Sequence, residues 1–513
     1  MKVNTGQKFL DLSPLLKVSV EQFYGIELEG FPCQIAQAAM WLMDHLMNLQ
    51  AADLFGLYYA RLPLVQSAHI VHGNALKVEW ETVVPKEELN FILGNPPFIG
   101  GMMMSAEQKS DMLDVFGDSK GVGELDYVTA WYKKAIKYMK GTAIQAAFVA
   151  TNSISQGQQA VTLWKPLMDD GAIVNFAYRT FKWSNEAKGK AAVHCVIIGF
   201  SLSPAPKKYI FDDEGKHEVK QINSYLVEAP NIFIESLSKP LCSVPPMRFG
   251  SMPRDGGGFV LSDAEKEELL AHEPLAAKWI RPYLGSVEFI NGKSRWCLWL
   301  VGADPGEIKK CPTVMQRVES IKKFRAASKA AGTRKFADTP TLFCQIAQPD
   351  SGNYIAVPRV SSERRRYIPI GFLPSSTIAS DLLFLIPQAS MYHFGILTSA
   401  VHNAWTRAVC GRLKSDYRYA KDIVYNTFPW PDADETQQAA IEKLAKGILD
   451  ARKLFPESSL SDLYDPLTMP PELTKAHKSL DTAVMKLYGF SQKMTEAAVV
   501  AALMARYQEL VKL

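Results

Sequence analysis

The sequence predicts an α/β fold: a parallel sheet with helices on its faces, followed by an irregular α+β region and a helical C-terminal tail. Short β-rich runs alternate with longer helical patterns from residue 20 to residue 200, which is typical of a parallel sheet. Prolines and serines accumulate in "SLSPAPKKY" (201–209), and two prolines lie in "FPWPDADE" (428–435); both stretches indicate breaks. Amphipathic helical patterns follow at 436–453 and 473–512.

The strands of the predicted sheet are short and lie between helical patterns such as 31–48 and 126–139. The β-rich runs are "FYGIE" (23–27), "AHIVH" (68–72), "FILG" (91–94), "AAFVA" (146–150), "AIVNFAY" (172–178) and "AAVHCVIIGF" (191–200). The chain is long enough for about three domains. We predict that their bounds are 1–205, 225–430 and 431–513.

The composition is that of a cytoplasmic protein. Hydrophobic residues make up 47% and charged residues 21%, values that are ordinary for a protein with apolar cores. The seven cysteines form no CxxC pair, which predicts reduced thiols and no structural metal. The apolar run "AAVVAALMA" from residue 497 is shorter than the ~20 residues of a membrane helix, so no membrane partner is expected.

The third β-rich run ends in a stiff loop, Asn95-Pro96-Pro97-Phe98. Paired prolines cannot continue a strand or enter a helix interior. The Asn95 amide oxygen and the Pro96 carbonyl could accept both N–H bonds of an exocyclic ring amine such as adenine N6, freeing its lone pair to attack a sulfonium methyl. A phenylalanine ring offers a face for a flipped base. A plain tight turn is the alternative, so the context decides.

Polar side chains follow the two earlier strands as well. Glu27 ends "FYGIE" and could bind the hydroxyls of a ribose, while Asn74 in "IVHGNAL" could contact an adenine ring. Glu27 alone could be a solvated strand end. Because ligands bind at the carboxyl ends of parallel strands, the two residues and the loop together predict one nucleotide-binding site.

Five motifs carry a family resemblance: "FYGIE", "HGNAL", "LGNPPFIGG", "ELDYVTAWY" and "AFVATNSISQGQQ". They resemble class I adenine-N6 DNA methyltransferases, specifically the MmeI-like family. The segments 281–300, 361–372 and 411–431 look like that family's target-recognition domain, so the resemblance covers nearly the whole chain. It implies a Rossmann-like methyltransferase sheet without its N-terminal part, then an α+β target-recognition domain and a helical C-terminal domain.

The resemblance also implies the roles of individual residues. Asn95, Pro96, Pro97 and Phe98 would form the catalytic loop, and Glu27, Asn74 and Ala75 would contact S-adenosyl-L-methionine. Phe181 and Trp183 would line the target-base pocket, although ordinary packing would explain these two rings equally well. The implied partner is double-stranded DNA, methylated at adenine N6 in a restriction-modification or phage-defence setting.

One family motif is missing, the glycine-rich cofactor loop that should precede "FYGIE". In this fold the first strand lies between the strands at 23–27 and 91–94, so its loss should leave unpaired backbone edges on both. The family's nuclease and helical spacer are absent too. We therefore expect the isolated chain to bind S-adenosylmethionine poorly. Either it is a truncated product, or a separate upstream polypeptide supplies the strand and the loop.

Basic residues cluster in the second predicted domain. Between Lys309 and Lys335 nine basic residues accompany a single acid, Glu319. Val314, Val318 and Ile321 recur there at helical spacing, which predicts a helix with an apolar inner face and basic outer face. Two further basic clusters lie at 359–366 and 407–421. Any single cluster could be a solvated surface, but the three together predict a DNA-binding surface. Its predicted residues are Lys322, Lys323, Arg325, Arg359, Arg364, Arg365, Arg366, Arg412, Lys414 and Arg418.

Alternatives of different classes remain open at this stage. The chain could be a catalytically silent DNA-specificity module that has lost its cofactor loop. It could also methylate RNA or a protein glutamine, because Asn-Pro-Pro loops serve those reactions as well, although the basic region weighs against this. A methylation assay with and without the upstream segment separates the first alternative from an active methyltransferase.

Overall fold

The computed structural model describes residues 17–55, 67–183, 193–413 and 415–512. The chain forms two compact units. The first unit takes its residues from 1–151, 165–178 and 196–209, and the second from 152–164, 179–195 and 210–513. None of the helices in these described ranges is both long enough and apolar enough to cross a membrane.

The N-terminal strands fall into two separate sheets. β1 and β2 form a parallel two-stranded sheet, with Tyr24 opposite His69 and Glu27 opposite His72. The larger sheet has the order β3-β4-β6-β5-β7-β8, and its β3 and β4 are parallel. The strands are β1 (Tyr24–Glu27), β2 (His69–His72), β3 (Phe91–Gly94), β4 (Gln145–Thr151), β5 (Ile173–Trp183), β6 (Val193–Ser201), β7 (Lys208–Asp212) and β8 (Gly215–Val219).

Helices alternate with these strands. They are α1 (Gly30–Phe55), α2 (Ala106–Phe116), α3 (Thr129–Tyr138) and α4 (Gly157–Asp169). Ser105 caps α2 by accepting from the Gln108 N–H at 3.2 Å, and the Gln108 side chain bonds back to the Ser105 N–H at 3.0 Å. β4 buries every second side chain, Ala146, Phe148 and Ala150, so it presents one face to the core. Tyr132 of α3 packs against Phe148 with ring centroids 5.2 Å apart.

The second unit contains smaller sheets. Their orders are β10-β12-β11-β16, β15-β13-β17-β9 and β14-β19-β18. β13 is antiparallel to both β15 and β17. The strands are β9 (Arg248–Phe249), β10 (Val260–Leu261), β11 (Ile280–Leu284), β12 (Trp296–Leu298), β13 (Asn353–Pro358), β14 (Val360–Ser361), β15 (Gly371–Pro374), β16 (Ile378–Ala379), β17 (Leu383–Pro387), β18 (Gly411–Leu413) and β19 (Asp416–Arg418).

The helices of the second unit end in a helical tail that packs on a shared core. Ile441, Leu480 and Leu503 of the tail are buried in one apolar cluster with Trp405. The helices are α5 (Asp263–His272), α6 (Ser286–Asn291), α7 (Pro305–Ile308), α8 (Pro312–Ala326), α9 (Ala331–Arg334), α10 (Met391–Thr398), α11 (Ala400–Val409), α12 (Glu435–Lys453), α13 (Leu460–Leu463), α14 (Pro471–Leu487) and α15 (Glu496–Val511).

The predicted fold class is confirmed, with two differences in extent. β5 continues to Trp183, five residues beyond the predicted run, and the larger sheet gains β7, which begins inside the predicted break at 201–209, and β8. The helical pattern at 473–512 forms two helices, α14 and α15. Gly489 lies between them with a φ of 72°, a left-handed conformation that ends helices.

Candidate functional site

The carboxyl ends of β1 and β2 bring Glu27 and Asn74 to the same edge of their sheet. The two strands are parallel and in register, and the Gly73 N–H donates to the Glu27 carbonyl at 2.8 Å. One Glu27 carboxylate oxygen accepts the Glu29 N–H at 3.2 Å. The rest of this carboxylate can accept from a diol such as that of a ribose.

The loop after β3 contacts the segment that precedes α3. The Tyr127 N–H donates to the Ile99 carbonyl at 2.8 Å. Gly101 touches the same segment so closely that a Cβ there would lie 2.6 Å from the Gly123 carbonyl oxygen, so only glycine fits. Asn95 and Pro97 are exposed while Pro96 is buried. These contacts anchor the far end of the loop at Ile99 and Gly101, and Asn95 is exposed at its beginning.

Asp111 of α2 joins Asn74 to Tyr127. Its carboxylate accepts from the Asn74 Nδ2 at 3.0 Å and from the Tyr127 hydroxyl at 2.6 Å. Lys77 lies 3.3 Å from the other carboxylate oxygen. The Asn74 Oδ1 accepts the Leu76 N–H at 2.9 Å. Both ends of the Asn74 amide are thus fixed, and its orientation is determined.

The protonation states in this network follow from burial and hydrogen bonding. Burial acts to raise the pKa of Asp111, but hydrogen bonds from Tyr127, Asn74 and Lys77 outweigh it and hold the pKa below its usual value. Burial, together with the hydrogen bond to Asp111, raises the pKa of the Tyr127 phenol. Asp111 is therefore an ionised acceptor and Tyr127 a protonated donor at neutral pH.

Most of the residues predicted for cofactor and base line one cavity. Its volume is ≈ 620 Å³, within the usual range of ligand pockets. Glu27, Asn74, Ala75 and residues Asn95 to Pro97 all line it, together with Asp111 and Tyr127. Phe98 is half-buried and is not part of the lining. The sequence had assigned no role to Asp111 or Tyr127, because only the fold brings α2 against Asn74.

Phe181 and Trp183 lie at the end of β5, in the second unit. Their ring centroids are 6.1 Å apart and Trp183 is 37% exposed. Beside them, Lys182 and His194 both contact the Glu363 carboxylate, at 3.2 Å and 3.1 Å. The role of Phe181 and Trp183 in a base pocket stays a prediction.

The predicted basic helix is present as α8. Val314, Val318 and Ile321 are buried, whereas Lys322 and Lys323 are exposed. Arg364, Arg366 and Arg418 are exposed as well. These five residues are available to phosphates in the second unit, and we call them the exposed basic set.

Arg325 is a correction to the predicted DNA contacts. Its side chain is fully buried and its guanidinium donates to five backbone carbonyls at 2.8–3.1 Å. It cannot reach a phosphate from there. The reason is that position 325 continues the apolar face of α8, four residues after Ile321.

Three further arginines from the predicted set are half-buried and have protein partners. Arg359 donates to the Asp381 carbonyl at 2.9 Å, and Arg365 donates to the Ser461 hydroxyl at 3.0 Å. The Arg412 guanidinium lies 3.8 Å from the centroid of the Tyr417 ring. Their binding to DNA stays a prediction. Lys414 lies outside the described residues.

The chain matches three family models that together span most of its length. They are the MmeI DNA-methyltransferase domain at residues 1–212, the MmeI target recognition domain at 228–432 and the MmeI C-terminal domain at 433–513. The methyltransferase domain contains the cavity, and the target recognition domain contains the exposed basic set.

Two relatives extend the comparison. The chain is 41% identical over 498 residues to DNA methyltransferase A of Bacillus subtilis (strain 168), covering 96% of this chain and 56% of that protein. It is 46% identical to the type IIL restriction-modification enzyme MmeI, whose structure in complex with DNA has been solved, with a TM-score of 0.86 over 100% of this chain and 69% of the other. The chain thus spans little more than half of its curated relative. With a solved relative at this identity and coverage, and with all three domain models matched in order, the chain belongs to the MmeI family.

Proposed function

We propose that this chain is the methylating and DNA-reading part of a site-specific DNA methyltransferase that acts on adenine N6 in a restriction-modification or phage-defence system. The observation that carries the proposal is the shared cavity, which residues Asn95 to Pro97 line together with Glu27 and Asn74. A methyl acceptor held by the loop and a nucleoside held by Glu27 would meet there.

The lining fits the adenosine half of S-adenosylmethionine. Glu27 offers a carboxylate for the ribose hydroxyls, and Asn74 with Ala75 follows β2 where an adenine edge would lie. Asp111 holds the Asn74 amide in one orientation, which limits the reorganisation on binding. When bound, the cofactor would supply an electrophilic methyl group.

The loop would act on the amine of the target base. The Asn95 Oδ1 and the Pro96 carbonyl would accept its two N–H bonds and so concentrate the lone pair on nitrogen. Because the two prolines restrict the loop backbone and Tyr127 contacts the loop at Ile99, these acceptors would need little reorganisation when the base arrives. The amine loses one proton to solvent after transfer, and no covalent enzyme intermediate is needed.

The methionine half of the cofactor has no evident holder among the described lining residues, which include no glycine-rich loop. We propose that an upstream polypeptide supplies it. The isolated chain should therefore show no micromolar binding of S-adenosylmethionine by calorimetry. The second candidate function is a catalytically silent DNA-specificity module. The lining without a glycine-rich loop among the described residues favours it as well.

A transfer assay tests the proposal. Duplex DNA and S-adenosylmethionine with a labelled methyl group are incubated with the chain, with and without the part of DNA methyltransferase A that has no counterpart here. We expect labelled N6-methyladenine only in the mixture. Asn95→Ala should lower the transfer rate by about 10²–10³-fold, whereas Asn90→Ala, an exposed asparagine before β3, should not.

The outcomes separate the candidates. Sequence-specific DNA binding without transfer in either mixture would favour the silent module. Labelled cytosine, RNA or protein in place of adenine would overturn the proposed substrate.

A further inference from the structure

Four consecutive residues of the target recognition domain, Arg364 to Tyr367, each contact a different residue elsewhere in the second unit. We call this stretch the arginine segment. Its exposure alternates: Arg364 and Arg366 are exposed, Arg365 is half-buried and Tyr367 is buried. Two arginines therefore face solvent, while the other two residues of the segment pack against the protein. Their partners lie in α11, in α13 and the turn after it, in α14 and in α15.

Tyr367 is held by the helical tail. Its hydroxyl donates to one oxygen of the Asp481 side chain at 2.7 Å, and its ring stacks on His477 with the centroids 4.0 Å apart. The other Asp481 oxygen accepts the Ala400 N–H at 2.7 Å. Asp481 and His477 are both buried residues of α14. Both oxygens of the buried Asp481 side chain thus have donors, and the position of Tyr367 against α14 is fixed.

A second anchor holds the backbone of the arginine segment. The Arg407 guanidinium donates to the Arg366 carbonyl at 2.9 Å. Its other N–H groups pair with the two carboxylate oxygens of Glu496, and both N···O distances are 2.7 Å. Two parallel hydrogen bonds fix the plane of a guanidinium. Glu496 of α15 therefore determines where Arg407 meets the segment.

The contacts of the arginine side chains themselves can be exchanged for other partners. Arg364 lies 3.5 Å from Asp465, and its side chain is 59% exposed. An exposed ion pair contributes little to stability, so a phosphate can take the place of Asp465. The Arg366 guanidinium lies 5.6 Å from the centroid of the Tyr367 ring. The anchors thus fix the segment and leave two guanidinium groups accessible to an anion.

An anchored cationic segment binds an anion at a lower cost than a mobile one. A mobile loop loses conformational freedom when it binds, and this loss opposes association. The contacts of Tyr367 and of the Arg366 carbonyl already order the segment, so less freedom is left to lose. Exposed arginines of a DNA-reading domain position it by contacting phosphates. The ligand that fits two accessible guanidinium groups on this domain is the backbone of a duplex.

We infer that the helical tail positions the two exposed arginines of the segment on the phosphates of the duplex. Asp481 acts on the segment through Tyr367. Glu496 acts on it through Arg407. All four are positioning residues, because they act through the arginines that meet the DNA. The inference rests on the proposed function and gives the C-terminal domain at 433–513 a part in DNA binding.

A salt titration of DNA binding tests the inference. The full chain is titrated onto a fluorescent duplex of random sequence, and anisotropy gives the slope of log K against log salt. The double variant Arg364→Gln/Arg366→Gln should lower the slope by about 0.9 for each phosphate contact that is lost. Tyr367→Phe keeps the ring and removes only the hydroxyl bond to Asp481. It should lower the slope by roughly half of that amount or more.

The matched control is another tyrosine hydroxyl that joins the tail to the target recognition domain. The Tyr488 hydroxyl donates to the Pro429 carbonyl at 3.0 Å. Tyr488→Phe removes this bond away from the arginine segment and should leave the slope unchanged. Glu496→Gln weakens the pair with Arg407 and repeats the test at the second anchor, so the result does not depend on the folding of one variant.

A double-mutant cycle separates positioning from a general effect on the structure. Tyr367→Phe is added to the chain in which Arg364 and Arg366 are already glutamine. No arginine remains there for Tyr367 to position, so the slope should fall no further. A fall of the same size in both backgrounds would mean that the hydroxyl acts on the fold rather than on the arginines, and it would overturn the inference.

Two other outcomes would overturn it: an unchanged slope in both Tyr367→Phe and Glu496→Gln, or an equal fall in Tyr488→Phe. Binding is measured without cofactor, so the expected slopes in a chain that transfers no methyl group would contradict the proposed methyl transfer only. Methyl transfer to DNA with unchanged slopes in both anchor variants would contradict the positioning only. A wild-type chain that binds no DNA would contradict the positioning together with the proposed DNA reading.

Discussion

Asp111 connects two parts of the cavity lining through its hydrogen bonds. It is almost fully buried, and it accepts from Asn74, which follows β2, and from Tyr127, whose backbone contacts the loop after β3. A buried carboxylate is stable only when such donors surround it. It therefore links the two halves of the proposed site.

We predict that Asp111→Asn lowers the free energy of unfolding of the first unit by about 1–3 kcal/mol. The introduced NH₂ group replaces an oxygen that accepts hydrogen bonds, so a buried donor is left without an acceptor. The folded-state pKa of Asp111 is depressed, so its contribution is present above the usual pKa of aspartate and lost as the pH falls below it. Denaturant unfolding at pH 7 measures the difference. Asp114→Asn, exposed on the same helix, is the control and should change little; equal effects of both would refute the prediction.

At the scale of elements, the two faces of α8 have different environments: the inner face is buried in the protein and the outer face is exposed to solvent. Its inner face ends in Arg325, whose guanidinium collects five carbonyls from the segments around 253–254 and 336–342. Its outer face carries Lys322 and Lys323. Basic positions two residues apart thus have opposite environments.

Arg325→Gln should therefore destabilise the second unit by about 3 kcal/mol or more, because it leaves buried carbonyls without donors. Lys322→Gln should leave the unfolding midpoint unchanged and weaken DNA binding instead. Denaturant unfolding and a DNA titration on both variants distinguish the roles. A folded Arg325→Gln variant with unchanged stability and weakened DNA binding would contradict the structural role and would show that Arg325 contacts DNA.

His402 of α11 gives a second prediction at the element scale. Burial lowers the pKa of His402 to about 3, and its Nε2 lies 2.9 Å from the Tyr419 hydroxyl oxygen. The unfolded chain takes up a proton below about pH 6.5 while the folded one does not, so stability falls as the pH drops from about 6.5 toward 3. His402→Gln should reduce this slope by up to about 1.4 kcal/mol per pH unit. Unfolding measured between pH 7 and 5 tests it, with exposed His272→Gln as the control that keeps the full slope.

At the scale of the whole molecule, DNA binding should follow the exposed basic set. The chain's net charge is only +4, so we expect local clusters, rather than overall charge, to supply the attraction to DNA that the proposed function requires. Replacing Lys322, Lys323, Arg364, Arg366 and Arg418 with glutamine should lower the slope of log K against log salt by about 0.9 for each phosphate that the variant no longer neutralises.

A charge-matched control makes this prediction specific. Glutamine at five exposed lysines of α12 and α14 removes the same charge; they are Lys443, Lys446, Lys453, Lys475 and Lys478. Fluorescence anisotropy between low and physiological salt compares the two variants. If the slope falls equally in both, the binding depends on net charge and the proposed surface is wrong.

The sequence by itself determined the local features. Strand positions followed from β-rich runs between helical patterns, and "NPPF" after the third run indicated where a stiff loop must lie, because proline constraints are local. The buried face of α8 followed from the spacing of Val314, Val318 and Ile321. The family followed from motifs in a fixed order, which the domain models and the solved relative confirm.

Only the tertiary structure decided which groups meet. Asp111 lies 37 positions from Asn74 and 16 from Tyr127, and no periodicity connects them. Arg325 was assigned to DNA because it is basic, yet its place on the inner face and five distant carbonyls made it a core residue. Unpaired edges were expected on the strands at 23–27 and 91–94, but only the pairing of β1 with β2 and of β3 with β4 decides which edge of each strand has no strand partner among the described residues. Backbone propensity acts over a few residues, whereas burial and hydrogen-bond partners depend on segments far apart in sequence.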